Sequence, residues 1–295
     1  CWVCIWGAIA MLTSAPFDDW WHNAYGLDVQ IISPPHLVLA AGIFANLMGS
    51  LFLLIAEKNL ATGKQKYFLE LLYMYAASLI IVQFAILLTE SSLNNKQHTY
   101  EFFKNSLIIY SFIIVAFRIA GEHKYSATII SILFIVHRCL IIWILPLFKA
   151  EPLLGPIYRD IDHYVAPYFP VLIVAPAIAI DLIHNKLQRP NSLITAMLMG
   201  LSFCIIFFFV QWNFAEFLLS EHARNWFFAG DNIFPYWARV NENNYKFWFL
   251  DWTPYGNRTE MERVSIYNFS FLIIFTIVFS YLGSFFGSWI KKVKR

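Results

Sequence analysis

Charge is scarce in this sequence. Asp, Glu, Lys and Arg make up 14% of its 295 residues against 59% hydrophobic types, and a water-soluble domain of that size has more surface than so few polar groups can cover. The basic residues form no stripe and no RNA-binding motif, which sets nucleic acid aside as a partner. Cysteine is sparse as well. Of the four present, Cys1, Cys4, Cys139 and Cys204, most lie in apolar runs, so buried thiols rather than a disulfide framework are expected. Cys1 and Cys4 have the spacing of a redox or metal pair, but the run CWVCIWGAIAML offers no second pair and no polar neighbour. The sequence also lacks a Walker loop, a G-x-G-x-x-G turn, a G-x-S-x-G elbow and an H-E-x-x-H helix, so nucleotide-driven transport and zinc proteolysis have no support. No haem, flavin or iron–sulfur motif appears.

Long apolar runs take the place of charge. A helix needs about 20 mainly apolar residues to cross the hydrocarbon core, and the candidates are Cys1 to Ala15, read as a truncated span, Ser33 to Lys58, Lys66 to Ser91, Tyr100 to Glu122, Tyr125 to Phe148, Tyr164 to Lys186, Ser192 to Ser220 and Tyr267 to Ile290. The fold class expected is all-α, a polytopic integral membrane helix bundle of about eight transmembrane helices. Residues 1–295 read as one domain without internal repeat. The first run opens at Cys1 inside an apolar segment with no initiator Met, as expected of part of a longer protein.

Orientation follows from where Lys and Arg collect. Lys58, Lys64 and Lys66, then Arg118 and Lys124, then Lys186 and Arg189, then the tail Lys291 to Arg295 fall on alternate connections and hence on one face. That face is expected to be cytoplasmic, in a bacterial inner membrane. The opposite, outer face then holds the connections Pro16 to Ile32, Ser92 to Thr99, Lys149 to His163 and residues 221–266. The last is rich in Trp and Tyr, suiting a cap at headgroup level.

The first outer connection reads SAPFDDWWHNAYGLDVQIISPPH. Asp18 and His22 are four apart, about 40° around a helix axis, and share a face. Tyr25-Gly26 reads as a turn, and Ser33-Pro34-Pro35 as a helix start that puts His36 in the first turn of the next span. One carboxylate and two imidazoles at one membrane boundary form a three-ligand set for copper, zinc or iron. The same residues also read as a solvated helix end (Asp18, Asp19), an interfacial belt (Trp20, Trp21) and two interfacial histidines.

The pattern Asp-x-x-Trp-His, a short loop and a Pro-containing helix start ending in His resembles the C subunit of the particulate methane and ammonia monooxygenases. That resemblance implies a metal, usually copper, on Asp18, His22 and His36. It covers about 20 to 40 residues, the His22-to-His36 gap is one residue longer than in that family, and no counterpart of the family's Asn/His/His group follows. The stretch LPLFKAEPLLGPIYRDIDHYVAPYFP is more similar to bacterial membrane proteins that share the DDWWH and SPPH pattern.

Other polar groups lie toward the outer side. Glu151, Asp160, Asp162 and His163 read as solvated loop charges or as further support for the histidines. Gln83 and Glu90 in the third run, and Gln211, Asn213 and Glu216 in the seventh, read as interhelical hydrogen bonds or as a path to the outer site. His137-Arg138 lies near the middle of the fifth run, where a charge is costly and needs a partner; Glu216, Glu90 and Glu70 are the candidates. The sequons at Asn257 and Asn268 matter only in a eukaryotic source.

Three functions compete: a copper-dependent membrane oxidoreductase or monooxygenase subunit, an accessory subunit or metal carrier of a larger membrane complex, and a secondary transporter, which no inverted repeat supports. The expected partners are the lipid bilayer and other membrane subunits or further copies of the chain.

Overall fold

Helicity stops where the sequence places residues unable to continue it. Gly26 has φ +88°, a left-handed conformation suited to glycine, and its N–H closes the preceding turn on the His22 carbonyl at 2.9 Å. A helix restarts at Pro34 behind Ser33. The prolines in its first two positions have no N–H to cap, and the Ser33 side chain makes no capping bond. Thr99 and Ser265 do cap their helices, accepting from the N–H groups of Phe102 at 3.2 Å and Asn268 at 3.1 Å.

The computed structural model describes residues 2–26, 33–150, 163–164, 167–187, 192–223, 225–229 and 264–294, without the side chains of Glu90 and Asn95. Among these residues are eight α-helices: α1 Trp2–Tyr25, α2 Pro34–Leu60, α3 Gly63–Leu87, α4 Tyr100–Ala120, α5 Ser126–Ile144, α6 Val174–Leu187, α7 Leu193–Leu218 and α8 Ile266–Ile290. Six of them (α2, α3, α4, α5 extended by a 3-10 turn, α7 and α8) are long and apolar enough to cross a membrane. Outward positions carry residues such as Ile132, Val136, Leu140, Phe209, Ile274 and Phe285. Exposure of that kind is stable against lipid tails and not against water.

Helix α4 is the hub. It packs on α3, α5, α6, α7 and α8, while α2 lies outside α3 and α1 lies on α2. Small residues permit the closest crossings. At Gly283 and Gly287, a G-x-x-x-G pair on α8, an added Cβ would run into the carbonyl oxygens of Phe112 and Ala116 on α4. Buried Ser111, Ser280, Ser284 and Thr276 line the same helices, the small polar composition of lipid-embedded interfaces.

At one face the ends of α2, α4, α6 and α8 meet. Asn59 donates to the Lys291 and Val293 carbonyls, Lys66 pairs with Glu122 at 2.9 Å, and Asn185 donates to the Lys124 carbonyl. The clustering of the basic segments on one face is thus visible in contacts. Two of the expected loop charges are in fact buried. Lys58 pairs with Glu70 at 2.8 Å, and Glu70 also accepts from the N–H groups of Glu122 and His123. Arg118 pairs with Asp181 at 2.6 Å, and Asp181 caps α5 by accepting from the N–H groups of Ala127 and Thr128. Both charges lie where helices converge, and each partner comes from a different helix.

The sixth expected span is corrected. Rather than running from Tyr164, helix α6 begins only at Val174 and has 14 residues, about 21 Å against a hydrocarbon core of about 30 Å. Pro167 and Pro170 hold the preceding segment out of helix, since each lacks an N–H and disfavours α conformation in the residue before it. Side chains satisfy its backbone. Gln211 accepts from the Leu172 N–H at 2.8 Å and donates to Gln97 at 2.7 Å, and Arg138 donates to the Tyr168 carbonyl at 3.0 Å. Non-helical backbone is tolerated at membrane depth only when the protein supplies such partners.

Candidate functional site

Asp18 and His22 stand one turn apart near the end of α1, and His36 stands in the first turn of α2. The two helices are held close enough for these side chains to meet. An added Cβ at Gly7 would lie 2.8 Å from the Gly42 carbonyl oxygen, and one at Gly42 would lie 2.8 Å from that of Gly7. His22 Nε2 lies 3.4 Å from Asp18 Oδ2, and His36 Nε2 lies 3.6 Å from Asp18 Oδ1. Asp18 is thus shared between two imidazoles from different helices, and all three side chains are partly buried.

His22 Nδ1 lies 3.1 Å from the Gly26 carbonyl oxygen, which can only accept. The proton on Nδ1 therefore points at Gly26, and a neutral His22 turns the lone pair of Nε2 toward the Asp18 carboxylate. The 3.4 Å approach of Nε2 to Asp18 is then an ion pair when His22 carries a second proton. Asp18 Oδ1 is buried and accepts no hydrogen bond. Spacings of 3.4 and 3.6 Å are close to the separation of about 3.3–3.4 Å subtended by two ligands at tetrahedral bonds of about 2.0–2.1 Å. Imidazole nitrogen and carboxylate oxygen are donor types that copper, zinc and iron accept. The three side chains nevertheless form two pairs sharing Asp18 rather than a closed cage. Among the described residues no group of three or more His, Cys, Asp and Glu is arranged to hold a metal ion.

The remaining expected site residues are placed elsewhere. Asp19 is exposed, and its backbone carbonyl accepts from Asn23. Glu216 is on the outside of α7 and pairs with the buried His98 at 3.3 Å. Asn213, expected to face inward, is exposed too; the inward residue of that turn is Gln211. His163 bridges its backbone to Lys149 beyond the end of α5. Asp162, Glu151, Asp160 and most of the 221–266 cap lie outside the described residues, as does the side chain of Glu90. The described start of that cap packs Trp226 and Phe227 on Trp143, whose indole N–H donates to the Phe227 carbonyl at 3.0 Å.

Arg138 does not pair with Glu70, which belongs to Lys58, or with Glu216, which belongs to His98. Its partner is a backbone carbonyl, that of Tyr168. Sequence reasoning missed the clamp that Gln97, Gln211 and Arg138 form around the proline segment. The proline pair at 167 and 170 beside an in-span arginine was the available signal.

These features describe an all-α bundle with membrane-spanning helices and an Asp/His/His cluster at the end of its first two helices. Set against known proteins, the chain matches no family model, no curated protein and no solved structure.

Proposed function

We propose that the chain is an integral membrane metal-binding protein that holds copper, with zinc or iron as alternatives, on Asp18, His22 and His36 at the outer, periplasmic face, and that it acts as a monooxygenase-like oxidoreductase or a subunit of one. The observation that carries this reading is that one carboxylate faces an imidazole from each of two helices, His22 Nε2 at 3.4 Å and His36 Nε2 at 3.6 Å from Asp18, with the other ring nitrogen of His22 3.1 Å from the Gly26 carbonyl oxygen. A backbone carbonyl on the far nitrogen is the usual way a ligating imidazole is oriented. Bound copper would supply a centre for dioxygen activation, with electrons from an outside donor. The chain's own part is to orient His22 through Gly26, to place one carboxylate oxygen toward each imidazole, and to set the packed rings of Phe17, Trp21 and Tyr25 on the neighbouring face of α1. The eight-span topology, with α1 and α6 as the two spans beyond the six long apolar helices, and a cytoplasmic C-terminus belong to the same proposal.

One observation favours a second reading, that of an accessory subunit or metal carrier in a larger membrane complex. The cluster sits on the peripheral α1–α2 pair, and α1 leaves Trp2, Trp6, Ile9 and Leu12 exposed. Co-purification with a larger enzyme whose activity survives loss of the cluster would select that reading.

The test is elemental analysis of detergent-purified protein, wild type beside His22→Ala and His36→Ala. Near-stoichiometric metal that falls in both variants is the expected result. Metal-free wild type, or unchanged content in the variants, overturns the proposal.

A further inference from the structure

Away from the Asp18 cluster, Arg138 is a buried charge with few hydrogen bonds among the described residues. Its residue is 6% exposed. A guanidinium carries five N–H donors and a permanent charge, yet the described bonds of Arg138 are one, Nη2 to the Tyr168 carbonyl at 3.0 Å. Nε is buried and has no hydrogen-bond partner. Among the described residues no carboxylate pairs with it. A buried cation without a counter-charge is among the costliest arrangements in a membrane bundle, and such residues normally face a partner or a cavity.

Arg138 does face a cavity. A cavity of about 20 Å³, partly open to the outside, is lined by Arg138, Thr89, Ser92, Tyr110, Phe134 and Phe169 together with the proline segment. Ser92 Oγ, like Arg138 Nε, is buried without a hydrogen-bond partner. Two orphaned donors and a tyrosine thus border one space, and among the described residues no Asp, Glu, His or Cys lines it. That chemistry selects an anion with acceptor oxygens and rejects a cation. The planar guanidinium matches a planar oxyanion, while hydroxyls satisfy its remaining lone pairs. The space is too small for a drug-sized ligand, and Phe134 and Phe169 leave only an apolar wall for whatever lies behind the charged end.

We propose that this cavity is a binding site for a small oxyanion, a carboxylate of one or two carbons fitting best. The anion would neutralise Arg138 and, through it, tighten the Tyr168 carbonyl and the non-helical segment against α5. The site is independent of the metal cluster.

Thermal unfolding of the detergent-purified full chain, followed by tryptophan fluorescence, tests this with sodium formate against sodium chloride at matched ionic strength. A ligand that binds only the folded state raises the midpoint, by about 5 °C near saturation for a chain of this size. The expected results are a formate-specific rise in wild type, its loss in Arg138→Gln, and a reduced rise in Arg138→Lys, which keeps the charge but not the fork. Should Arg138→Gln fail to fold, Ser92→Ala and Tyr110→Phe leave the charge in place and are expected to weaken the formate rise. Saturation transfer from the protein to formate protons reads occupancy directly and should vanish with the rise. Identical formate and chloride curves in wild type overturn the proposal, as does a formate rise that survives in both Ser92→Ala and Arg138→Gln. Glu90→Gln is expected to leave the rise unchanged. A rise that emerges only in Glu90→Gln makes Glu90 the counter-ion and likewise overturns it.

Discussion

Arg118 on α4 brings its Nε to 2.6 Å from Asp181 Oδ1 on α6, and both side chains are almost wholly buried. The contact is an ion pair rather than an aligned hydrogen bond. Arg118 uses Nη2 for Asn185 Oδ1 at 2.6 Å, and Asp181 spends its oxygens on Thr128 as well. One pair thus joins α4, α5 and α6. Removing one member leaves the other charge buried and uncompensated, at about 3–5 kcal/mol. Asp181→Ala also removes the cap of α5, so it is expected to destabilise more than Arg118→Ala in SDS-induced unfolding of the purified protein. Equal midpoints for Asp181→Ala and wild type would show that the pair is dispensable.

For the metal site proposed at Asp18 the geometry orders the variants. Asp18 faces both histidines, so Asp18→Ala is expected to lower metal affinity more than either His22→Ala or His36→Ala. Gly26→Ala touches no ligand atom, but strains a backbone at φ +88° and shifts the carbonyl that orients His22. A loss of about 10–100-fold in affinity is the scale for such an orienting partner, with about 1 kcal/mol of stability lost as the backbone leaves the left-handed region. Competition with a chelator of known affinity gives the order. A Gly26→Ala affinity equal to wild type would mean that the His22 ring is not set by that carbonyl.

The spans and the cluster were legible to different degrees, for physical reasons. Six of the eight expected runs match helices to within a few residues, because apolar runs of 20 residues or more with Ser, Thr, Gly and Pro at their ends leave little choice in lipid, and the first run, expected to end at Ala15, is helical on through Pro16 to Tyr25. The remaining run, Tyr164 to Lys186, fails where hydropathy is blind: prolines inside an apolar run change its backbone without changing its hydrophobicity. At the cluster, i, i+4 spacing and a Ser-Pro-Pro helix start were enough to bring Asp18, His22 and His36 together. Side-chain direction on long helices was not legible. Asn213 and Glu216 were expected inside and are outside, since a two-residue choice around α7 depends on which neighbours pack there. Charges posed the opposite problem. Lys58 and Arg118 lie where loop charges would, and only their partners on other helices reveal them as interior.

The α4–α8 crossing gives a sharper test of packing. Gly283 and Gly287 rest on the carbonyls of Phe112 and Ala116, so a larger side chain meets backbone, which cannot step aside as a flexible side chain can. Gly287→Val is expected to prevent the native crossing and lower folded yield sharply. Gly63→Ala, at a position with open space around it but φ +57°, should cost only about 1 kcal/mol. Comparable yields of Gly287→Val and wild type in size-exclusion chromatography would rule out the close crossing.

Gln211 is the residue on which the non-helical segment turns. Its carbonyl oxygen accepts from the Leu172 N–H at 2.8 Å while its amide donates to Gln97 at 2.7 Å, and Gln97 in turn donates to the Ser92 carbonyl at 3.0 Å. Gln211→Leu keeps the volume and removes both bonds, leaving a backbone donor and the Gln97 oxygen unpaired among apolar side chains. Each such group costs about 1–3 kcal/mol, and the loss falls on the segment that has no helical bonds of its own. Local opening is therefore expected before global unfolding. A single cysteine at Val171, buried in the native protein, reports this opening. In a background lacking the native cysteines it should react with a small maleimide many times faster when Gln211 is Leu, while the helical content by circular dichroism stays unchanged. A labelling rate unaffected by Gln211→Leu would mean that the segment is held by Arg138 and its prolines alone.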